Sequence, residues 1–376
     1  MNYLSIVLLI VTLYTNPSIM AQGVKIGNYK FKNGGEYQGE LYRGKPHGHG
    51  KAVFKNGDTY EGEYKKGKRE GKGIYTFSDG EKYDGEWFQD QQHGKGTFYF
   101  SNNNRYEGLW FRDYQQGSGT MYYHNGDCYI GNWKEDKRNG YGTYNYAEGA
   151  SYQGEWLNDE KSGKGKFKWN DGSWYDGMWL NNQRNGKGTY NYADGDIYTG
   201  EWMDDIQHGN GCYKFHNGDI YEGEYVQGER TGNGTFTFFN GNKYTGEFLN
   251  GEQHGKGKFT WHNGASYDGM WKSNKRDGTG RYTWSNGDYY EGEWKNGEMN
   301  GEGILRLNDG NKFKGHFVNG NKEGYGILVE ENGTRYEGTF KNNEKDGDFV
   351  VKNKDGKIIY KCKYKDGIMI NKEEMQ

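Results

Sequence analysis

The stretch YDGMWLNNQRNGKGTYNYADGDI, residues 175–197, contains the pattern that organises most of the chain. It begins with Tyr-x-Gly-x-Trp at Tyr175, and further glycines and aromatic residues follow at fixed distances. The tyrosine recurs every 23 residues from Tyr37 to Tyr336, with Phe313 as the one exception, and this defines fourteen repeats without an insertion. Such fixed spacing indicates a repeat architecture, because loops in ordinary domains vary in length.

Each repeat predicts two short strands. Numbered from the tyrosine as position 1, the repeat has glycine at positions 3, 12 and 14 and aromatic residues at position 5 and mostly at 16 and 18; Leu41 and Phe349 are departures at the two ends. Positions 1, 3 and 5 alternate with polar residues, so they share one face of a strand, and positions 14, 16 and 18 do the same on a second strand. We expect glycine at 3, 12 and 14 to leave space for neighbouring rings.

The loop between repeats decides whether the two sets of rings lie on the same face. A two-residue Asn-Gly turn would place positions 16 and 18 opposite position 1 of the next repeat, whereas a three-residue loop that ends in a left-handed residue brings them together. Position 21 is glycine except at Asn103, and asparagine tolerates a positive φ better than most residues. We therefore expect the three-residue loop.

The predicted fold is all-β: an elongated, twisted, single-layer solenoid or ribbon of about fourteen tandem β-hairpins. Residues 22–36 are interpreted as an N-terminal lead-in or cap, 37–358 as the repeat array, and 359–376 as a degenerate repeat and tail. Departures at both ends of the array are typical of capping repeats.

Residues 1–21 differ from the rest and predict a signal peptide, because an apolar run from Leu4 to Leu13 is too short to span a bilayer and is followed by a small-residue exit at Ala21. The protein is then secreted, periplasmic or surface-associated; the alternative is a cytoplasmic or membrane-associated chain with an uncleaved leader. N-terminal sequencing of the native protein should begin near Gln22. Recovery of an intact Met1 terminus from a soluble cytoplasmic fraction would contradict export.

The repeat resembles the MORN repeat (membrane occupation and recognition nexus), whose core is Tyr-x-Gly-x-Trp followed by Gly-x-Gly and further aromatic residues. Residues 83–87 and 94–96 match it closely, and the resemblance covers roughly residues 37–350. Residues 356–367 resemble a variant of the same repeat. The resemblance implies two known settings: lipid-headgroup binding, and arrays attached to catalytic domains such as plant phosphatidylinositol phosphate kinases and a histone lysine methyltransferase.

Composition disfavours several classes of function. The chain has a formal net charge of -3 with both signs interspersed, which disfavours nucleic-acid binding because a concentrated basic surface is missing. Cys128, Cys212 and Cys362 share no metal-ligand spacing, and His47 and His49 have no completing ligands, so neither a disulfide framework nor a metal site is predicted. We predict no enzyme activity and no cofactor, because no nucleotide motif or catalytic set stands outside the repeat columns.

Position 10 carries the most distinctive polar column. Arginine occurs there at two-repeat intervals, which duplication of paired repeats explains; the functional alternative is a ladder that contacts anionic groups of a partner. Its members are Arg138, Arg184, Arg230 and Arg276.

The leading functional prediction is a non-enzymatic repeat scaffold for protein–protein interaction or self-association after export. The alternative is a binding module for glycans or anionic phospholipid headgroups. A distant third is an enzyme assignment, inherited from the phosphatidylinositol phosphate kinases that contain MORN repeats. A single-layer sheet with its rings on one face is also expected to leave aromatic surface uncovered, which is typical of a contact surface.

Overall fold

The computed structural model describes residues 23–374, and over these residues every regular element is a β-strand. The same range therefore holds no helix long and apolar enough to cross a membrane. The predicted signal peptide lies outside the described residues. The all-β, tandem-hairpin prediction is confirmed.

The chain forms two bodies, an N-terminal body up to Lys161 and a C-terminal body from Ser162. Within each body, consecutive strands pair antiparallel in a single layer. The N-terminal body contains β1 (Val24–Lys30), β2 (Glu36–Tyr42), β3 (Lys45–Val53), β4 (Thr59–Lys65), β5 (Lys68–Thr76), β6 (Lys82–Phe88), β7 (Gln91–Tyr99), β8 (Arg105–Phe111), β9 (Tyr114–Tyr122), β10 (Cys128–Lys134), β11 (Lys137–Asn145) and β12 (Ser151–Leu157).

The division falls inside β13 (Glu160–Lys168). The C-terminal body continues with β14 (Trp174–Leu180), β15 (Gln183–Asn191), β16 (Ile197–Met203), β17 (Ile206–Lys214), β18 (Ile220–Val226), β19 (Glu229–Thr237), β20 (Lys243–Leu249), β21 (Glu252–Thr260), β22 (Ser266–Lys272), β23 (Lys275–Thr283), β24 (Tyr289–Lys295), β25 (Glu298–Arg306), β26 (Lys312–Val318), β27 (Asn321–Val329), β28 (Arg335–Lys341), β29 (Glu344–Lys352), β30 (Ile358–Lys365) and β31 (Ile368–Glu374).

Each repeat is one hairpin with a two-residue turn at positions 7 and 8. In the repeat that begins at Tyr175 these residues are Asn181 and Asn182, with φ of 48° and 71°. Positive φ at both central residues is the type I′ turn, whose twist matches that of the paired strands. This turn is not evident from the sequence, because many repeats carry Asp or Gln there instead of the Asn-Gly pair that usually signals it.

The loop between repeats is the predicted three-residue loop. The Phe77 amide donates to the Glu81 carbonyl at 2.9 Å and the Gly80 amide to the Phe77 carbonyl at 3.0 Å, so residues 78–80 form the loop. Gly80 has a φ of 94°, and Asn103, in the same column, has a φ of 64°. The loop places position 16 opposite position 1 in both neighbouring strands, so that Phe98 pairs with Tyr83 in the strand before it and with Tyr106 in the strand after it.

Glycine at positions 3 and 14 makes room for the tyrosine ring, as predicted. Gly177 and Gly188 pair directly, and a Cβ on either would overlap the Tyr175 hydroxyl. That hydroxyl donates to the Met178 carbonyl at 3.0 Å. The ring therefore lies flat over two adjacent backbones, a position that any side chain at 3 or 14 would take from it.

Glycine at position 12 does not leave space for a neighbouring ring, so the predicted reason for it is wrong. A Cβ on Gly186 would meet the Met178 side chain at 3.3 Å and no ring, but the residue has a φ of 82°. The pairing moves there from Gly177–Gly188 to Trp179–Arg184, which leaves positions 11 to 13 opposite one residue. Position 12 is glycine because this bulge needs a left-handed backbone.

Rings at positions 1 and 5 form the core. Tyr175 is completely buried and Trp179 is 5% exposed, and their centroids lie 5.2 Å apart, edge to face. Tyr175 makes a second such contact, at 5.5 Å, with Trp202 of the next repeat, whose Nε1 donates to the Gly188 carbonyl at 3.3 Å. The expected uncovered aromatic face is therefore wrong for these two columns, because the neighbouring repeats cover them, whereas the rings at positions 16 and 18 are mostly half-buried.

Carboxylates at position 22 join successive loops. Asp58 accepts hydrogen bonds from the Ser78 amide at 2.9 Å and the Tyr75 hydroxyl at 2.5 Å, both in the following repeat. Burial by itself would raise the pKa of Asp58, but these hydrogen bonds outweigh it and hold that pKa below its ordinary value. The carboxylate is therefore part of the packing between repeats.

The N-terminal lead-in is half a repeat. Strand β1 and its loop place Gly27, Tyr29 and Phe31 where positions 14, 16 and 18 fall, and Gly34 takes the left-handed position 21 with a φ of 91°. Gly27 pairs with Gly39 as position 14 pairs with position 3 elsewhere. The signal was present in the spacing, since Gly27 lies 23 residues before Gly50.

The C-terminal segment forms one more hairpin, β30–β31, shifted by one residue. Cys362 takes position 3, and Tyr364 takes position 5 opposite Gly347. Phe349, which replaces the glycine of position 14, is buried and packs edge to face on Phe340 and Tyr364 at 5.4 and 5.3 Å. Its ring fills the space that the position-1 tyrosine occupies in other repeats, which explains the departure at this end.

Candidate partner-binding site

The side that carries the rings has a groove. Its floor is made by rings at positions 5 and 16, one wall by the half-buried rings at position 18, and the other wall by residues at positions 8 and 10. We call this the ring groove. Because the tryptophans of position 5 are buried, ring stacking with a ligand such as a glycan is left to the half-buried rings of positions 16 and 18.

The arginines of position 10 lie over the rings and are engaged within the protein. Arg138 donates from Nη2 to the Asp159 carbonyl at 2.9 Å and from Nε to the Asp159 carboxylate at 3.0 Å, while its guanidinium lies 4.3 Å from the Trp156 ring centroid. Arg184 repeats these contacts with Asp205 and Trp202.

Arg230 and Arg276 donate to turn carbonyls of the following repeat, Gly251 at 2.9 Å and Gly297 at 2.6 Å. Arg69, which the sequence analysis did not include in the ladder, makes the same contacts with Asp90 and Trp87. A partner-contacting role for the arginine column stays a prediction, and the structure gives these arginines an intramolecular use: each joins one repeat to the next.

Two successive repeats of the N-terminal body carry glutamine at position 10 instead. Gln92 and Gln115 are buried and line a cavity of about 440 Å³ in the ring groove. Its floor and ring wall include Trp110, Trp133, Phe100 and Tyr123, and three carboxylates line the opposite side, Asp113, Asp136 and Asp159. We call it the Gln92–Gln115 cavity.

The turn histidines belong to a structural column, position 11. His47 Nδ1 lies 3.5 Å from the Lys66 amide, the first turn residue of the next hairpin, and Gln116 and Glu323 accept from the same amide in their repeats at 3.3 and 3.0 Å. No group of three or more potential His, Cys, Asp or Glu metal ligands occurs within residues 23–374.

The face opposite the ring groove carries an exposed apolar row near the hairpin turns of the C-terminal body. Position 6 is Leu180, Met203, Val226 and Leu249 in four consecutive repeats, and Ile206 lies beside Met203 across the hairpin. These five side chains are between 40% and 50% exposed. A Cβ on Gly228 would lie 3.6 Å from Ile206 Cγ2, so neighbouring hairpins are in contact along the row. We call these five residues the turn-edge stripe.

The fold does not require apolar residues at position 6. Lysine occupies the same position, equally exposed and in the same hairpin geometry, in five other repeats: Lys65, Lys134, Lys272, Lys295 and Lys341. The internal repeats thus serve as controls for one another: position 6 accepts lysine or an exposed apolar residue, the latter also at Phe88, Phe111, Leu157 and Val318, so the hairpin itself does not decide which stands there.

The repeated hairpin, its glycine rows and its ring core define a tandem β-hairpin repeat protein. A family model for the MORN repeat matches fourteen consecutive segments, from residues 37–59 to residues 336–347. The chain belongs to the MORN repeat family. Comparison with curated proteins gives no sequence match.

Several solved structures show a distant likeness. The TCP10 domain of CPAP from Danio rerio is 12% identical, with 58% of this chain and 98% of that chain covered and a TM-score of 0.31. The TCP domain of SAS-4 (dCPAP) from Drosophila melanogaster, in complex with a proline-rich motif of Ana2 (dSTIL), is 15% identical, with 47% and 90% covered and a TM-score of 0.28. Scores this low carry no argument about function.

Proposed function

We propose that this chain is a non-enzymatic scaffold that binds a protein partner, and that the turn-edge stripe of the C-terminal body is one of its contact surfaces. One observation carries the proposal: exposed leucine, methionine, valine and isoleucine occupy a surface where the same fold accepts lysine. Contiguous exposed apolar patches usually mark interaction sites on soluble proteins.

The charges around the stripe select the partner. Glutamates border it at position 4, where the carboxylates of Glu224 and Glu247 are each fixed by a backbone amide at 3.0 Å, from Asn233 and Lys256. Glu229 and Glu252 border it at position 9. An apolar row between acidic borders favours a protein segment with apolar side chains flanked by lysine or arginine, and disfavours anionic lipid surfaces and a second copy of the same stripe.

The spacing favours an amphipathic helix as that segment. Position 6 recurs every two strands, roughly 9.6 Å, while seven residues of a helix advance about 10.5 Å. One apolar side chain per heptad could therefore contact each repeat of the stripe.

The stripe can be tested with residues that the chain itself uses. Replacing Leu180, Met203, Val226 and Leu249 by lysine should leave the circular dichroism spectrum unchanged, because lysine stands at this position in five repeats. When each protein is used to capture partners from the native source, mass spectrometry should show at least one protein whose captured amount is about tenfold lower, or less, with the variant than with wild type. A helical segment of that protein with basic flanks should then bind wild type directly.

Val318→Lys is the matched control, because it makes the same change at position 6 between Lys295 and Lys341, away from the stripe. It should capture the same proteins as wild type. Identical captures by the four-residue variant and wild type would refute the proposal.

A further inference from the structure

The Gln92–Gln115 cavity lies where three other repeats, those of Arg69, Arg138 and Arg184, hold a guanidinium of their own. In those repeats the position-10 arginine is stacked between the position-5 ring and the aspartate at position 8, as Arg138 is between Trp156 and Asp159. Glutamine is shorter and uncharged, so at Gln92 and Gln115 the ring and the aspartate remain while the cation is missing.

The groups that would hold a cation are in place in the cavity. The Asp113 carboxylate accepts a hydrogen bond from the Gln92 backbone amide, and the Asp136 carboxylate accepts one from the Gln115 backbone amide, both at 2.7 Å. The two aspartate side chains therefore keep the orientation that Asp159 has beside Arg138. Trp110 and Trp133 stand where Trp156 stands under Arg138. Each carboxylate thus has an aromatic surface beside it, which is the combination that binds guanidinium and ammonium groups.

We infer that the Gln92–Gln115 cavity is a binding site for arginine or lysine side chains of a protein segment that lies in the ring groove. Its two halves are one repeat apart, roughly 9.6 Å. Three residues of a polyproline II segment span about 9.3 Å and, at three residues per turn, place the first and fourth side chains on the same face. The fitting ligand therefore carries two basic residues in the spacing Arg-x-x-Arg. That the segment belongs to a protein partner rests on the proposed function, whereas the chemistry of the cavity does not.

The arginine column of the sequence analysis thereby gains a different meaning. The arginines show, within one chain, how the groove binds a guanidinium. The repeats of Gln92 and Gln115, which keep the ring and the aspartate but have no arginine at position 10, are the ones that can accept a cation from outside. Asp113 and Asp136 stand beside glutamine, whereas Asp159 is paired with Arg138, so two carboxylates make this stretch of the groove acidic, which disfavours anionic headgroups.

The test uses the full chain and a fluorescein-labelled peptide, Gly-Arg-Ser-Gly-Arg-Gly, with a second peptide in which neutral citrulline replaces both arginines. Wild type should bind the arginine peptide at least about tenfold more tightly than the citrulline peptide, measured by fluorescence anisotropy. The double variant Gln92→Arg, Gln115→Arg should fill the cavity from within and lose this binding by a similar factor.

Folding of both variants can be expected from the chain itself. Arginine is accommodated at position 10 beside Asp90 and Asp159, and Asp136→Asn introduces a residue that Asn274 provides at position 8, where it accepts the Gln253 amide at 2.9 Å. Asp136→Asn should weaken arginine-peptide binding severalfold through loss of charge alone. Gln253→Arg, the same change in the C-terminal body, is the control and should bind like wild type.

Equal binding of the two peptides, or undiminished binding to the double variant, overturns the inference, as does the absence of binding to wild type. None of these results bears on the turn-edge stripe, which lies in the C-terminal body, whereas the cavity lies in the N-terminal body. Failure of the cavity and failure of the proposed scaffold function are therefore distinguishable.

Discussion

Deletion of one complete repeat, residues 221–243, should leave a soluble, folded protein, while deletion of about half a repeat, residues 221–232, should not. The complete deletion joins Ile220 to Tyr244, and β17 then meets β20 in the register that it now makes with β18: glycine against glycine and ring against ring. Each repeat contacts mainly its neighbours, so only one set of nearest-neighbour contacts is lost.

The half deletion moves the rings to the wrong face. It removes twelve residues, so Gly234 and Phe236 fall at positions 2 and 4 of the new strand, whereas the repeat has its glycine and its ring at positions 3 and 5. A shift of one residue in a strand exposes its whole apolar set. Thermal unfolding followed by circular dichroism should show a change below about 5 °C for the complete deletion and a loss above about 10 °C, or aggregation, for the half deletion. Equal tolerance of the two deletions would contradict the repeat model.

Alkaline pH should unfold the protein through its buried tyrosines. Burial, with smaller electrostatic contributions, raises the pKa of Tyr221 to about 12 from an ordinary value of 10.0, and it raises the pKa of the other position-1 tyrosines as well. A pKa that is higher in the folded state means that the folded state favours the neutral phenol. This contribution to stability is complete below pH 10 and is lost as the pH rises through 12.

The effect is large because the tyrosines act together. A rise from 10.0 to about 12 corresponds to roughly 3 kcal/mol for one fully buried tyrosine. Several such residues would exceed the stability of an ordinary domain, about 5–15 kcal/mol. Tyrosinate absorbance at 295 nm from the buried residues and loss of the strand signal should therefore occur in one transition above pH 10. Separate transitions, with tyrosinate formed in a chain that keeps its strands, would contradict this.

A phenylalanine variant supplies the control, since Phe313 already occupies position 1 in one repeat. Replacing Tyr198, Tyr221 and Tyr244 by phenylalanine removes their hydrogen bonds to the carbonyls of position 4, which are 2.9 to 3.1 Å long. The variant should be less stable at pH 7, by about 1 kcal/mol for each hydrogen bond, and more stable than wild type near pH 11.5. Tyr141→Phe, at an exposed residue, should show neither change.

Much of the fold could be predicted from spacing. A strict period of 23 residues with alternation inside it fixes two strands, the face that carries the rings and, through Gly80 and Asn103, the three-residue loop. The type I′ turn at positions 7 and 8 was missed, because Asp and Gln stand there in several repeats and adopt positive φ only in the context of the paired strands. The half repeat at Gly27 was missed because no Tyr-x-Gly pattern precedes it at the spacing of the other repeats.

The interaction surfaces could be predicted only in part. The arginine column was found, but an arginine in an exposed-looking column gives no sign that its partner is an aspartate 21 residues away, as Asp159 is for Arg138. The glutamines between the arginines attracted no interpretation, because a cavity is a property of neighbouring side chains and not of one residue. The position-6 column is equally visible in the sequence but does not by itself indicate a contact surface, since an apolar residue at the end of a strand is ordinary.

The sequence by itself determined the hairpin repeat, the ring-bearing face and the membership of the MORN repeat family, because these depend on periodicity and on glycine, and both are local. The tertiary structure alone decided which side chains meet between repeats: the burial of Tyr175 and Trp179, the guanidinium of Arg138 over Trp156, the space beside Gln92 and the exposure of Met203. The physical reason is that strand alternation fixes the side on which a residue lies. Turn type, bulge and register then fix what stands opposite it in the next repeat.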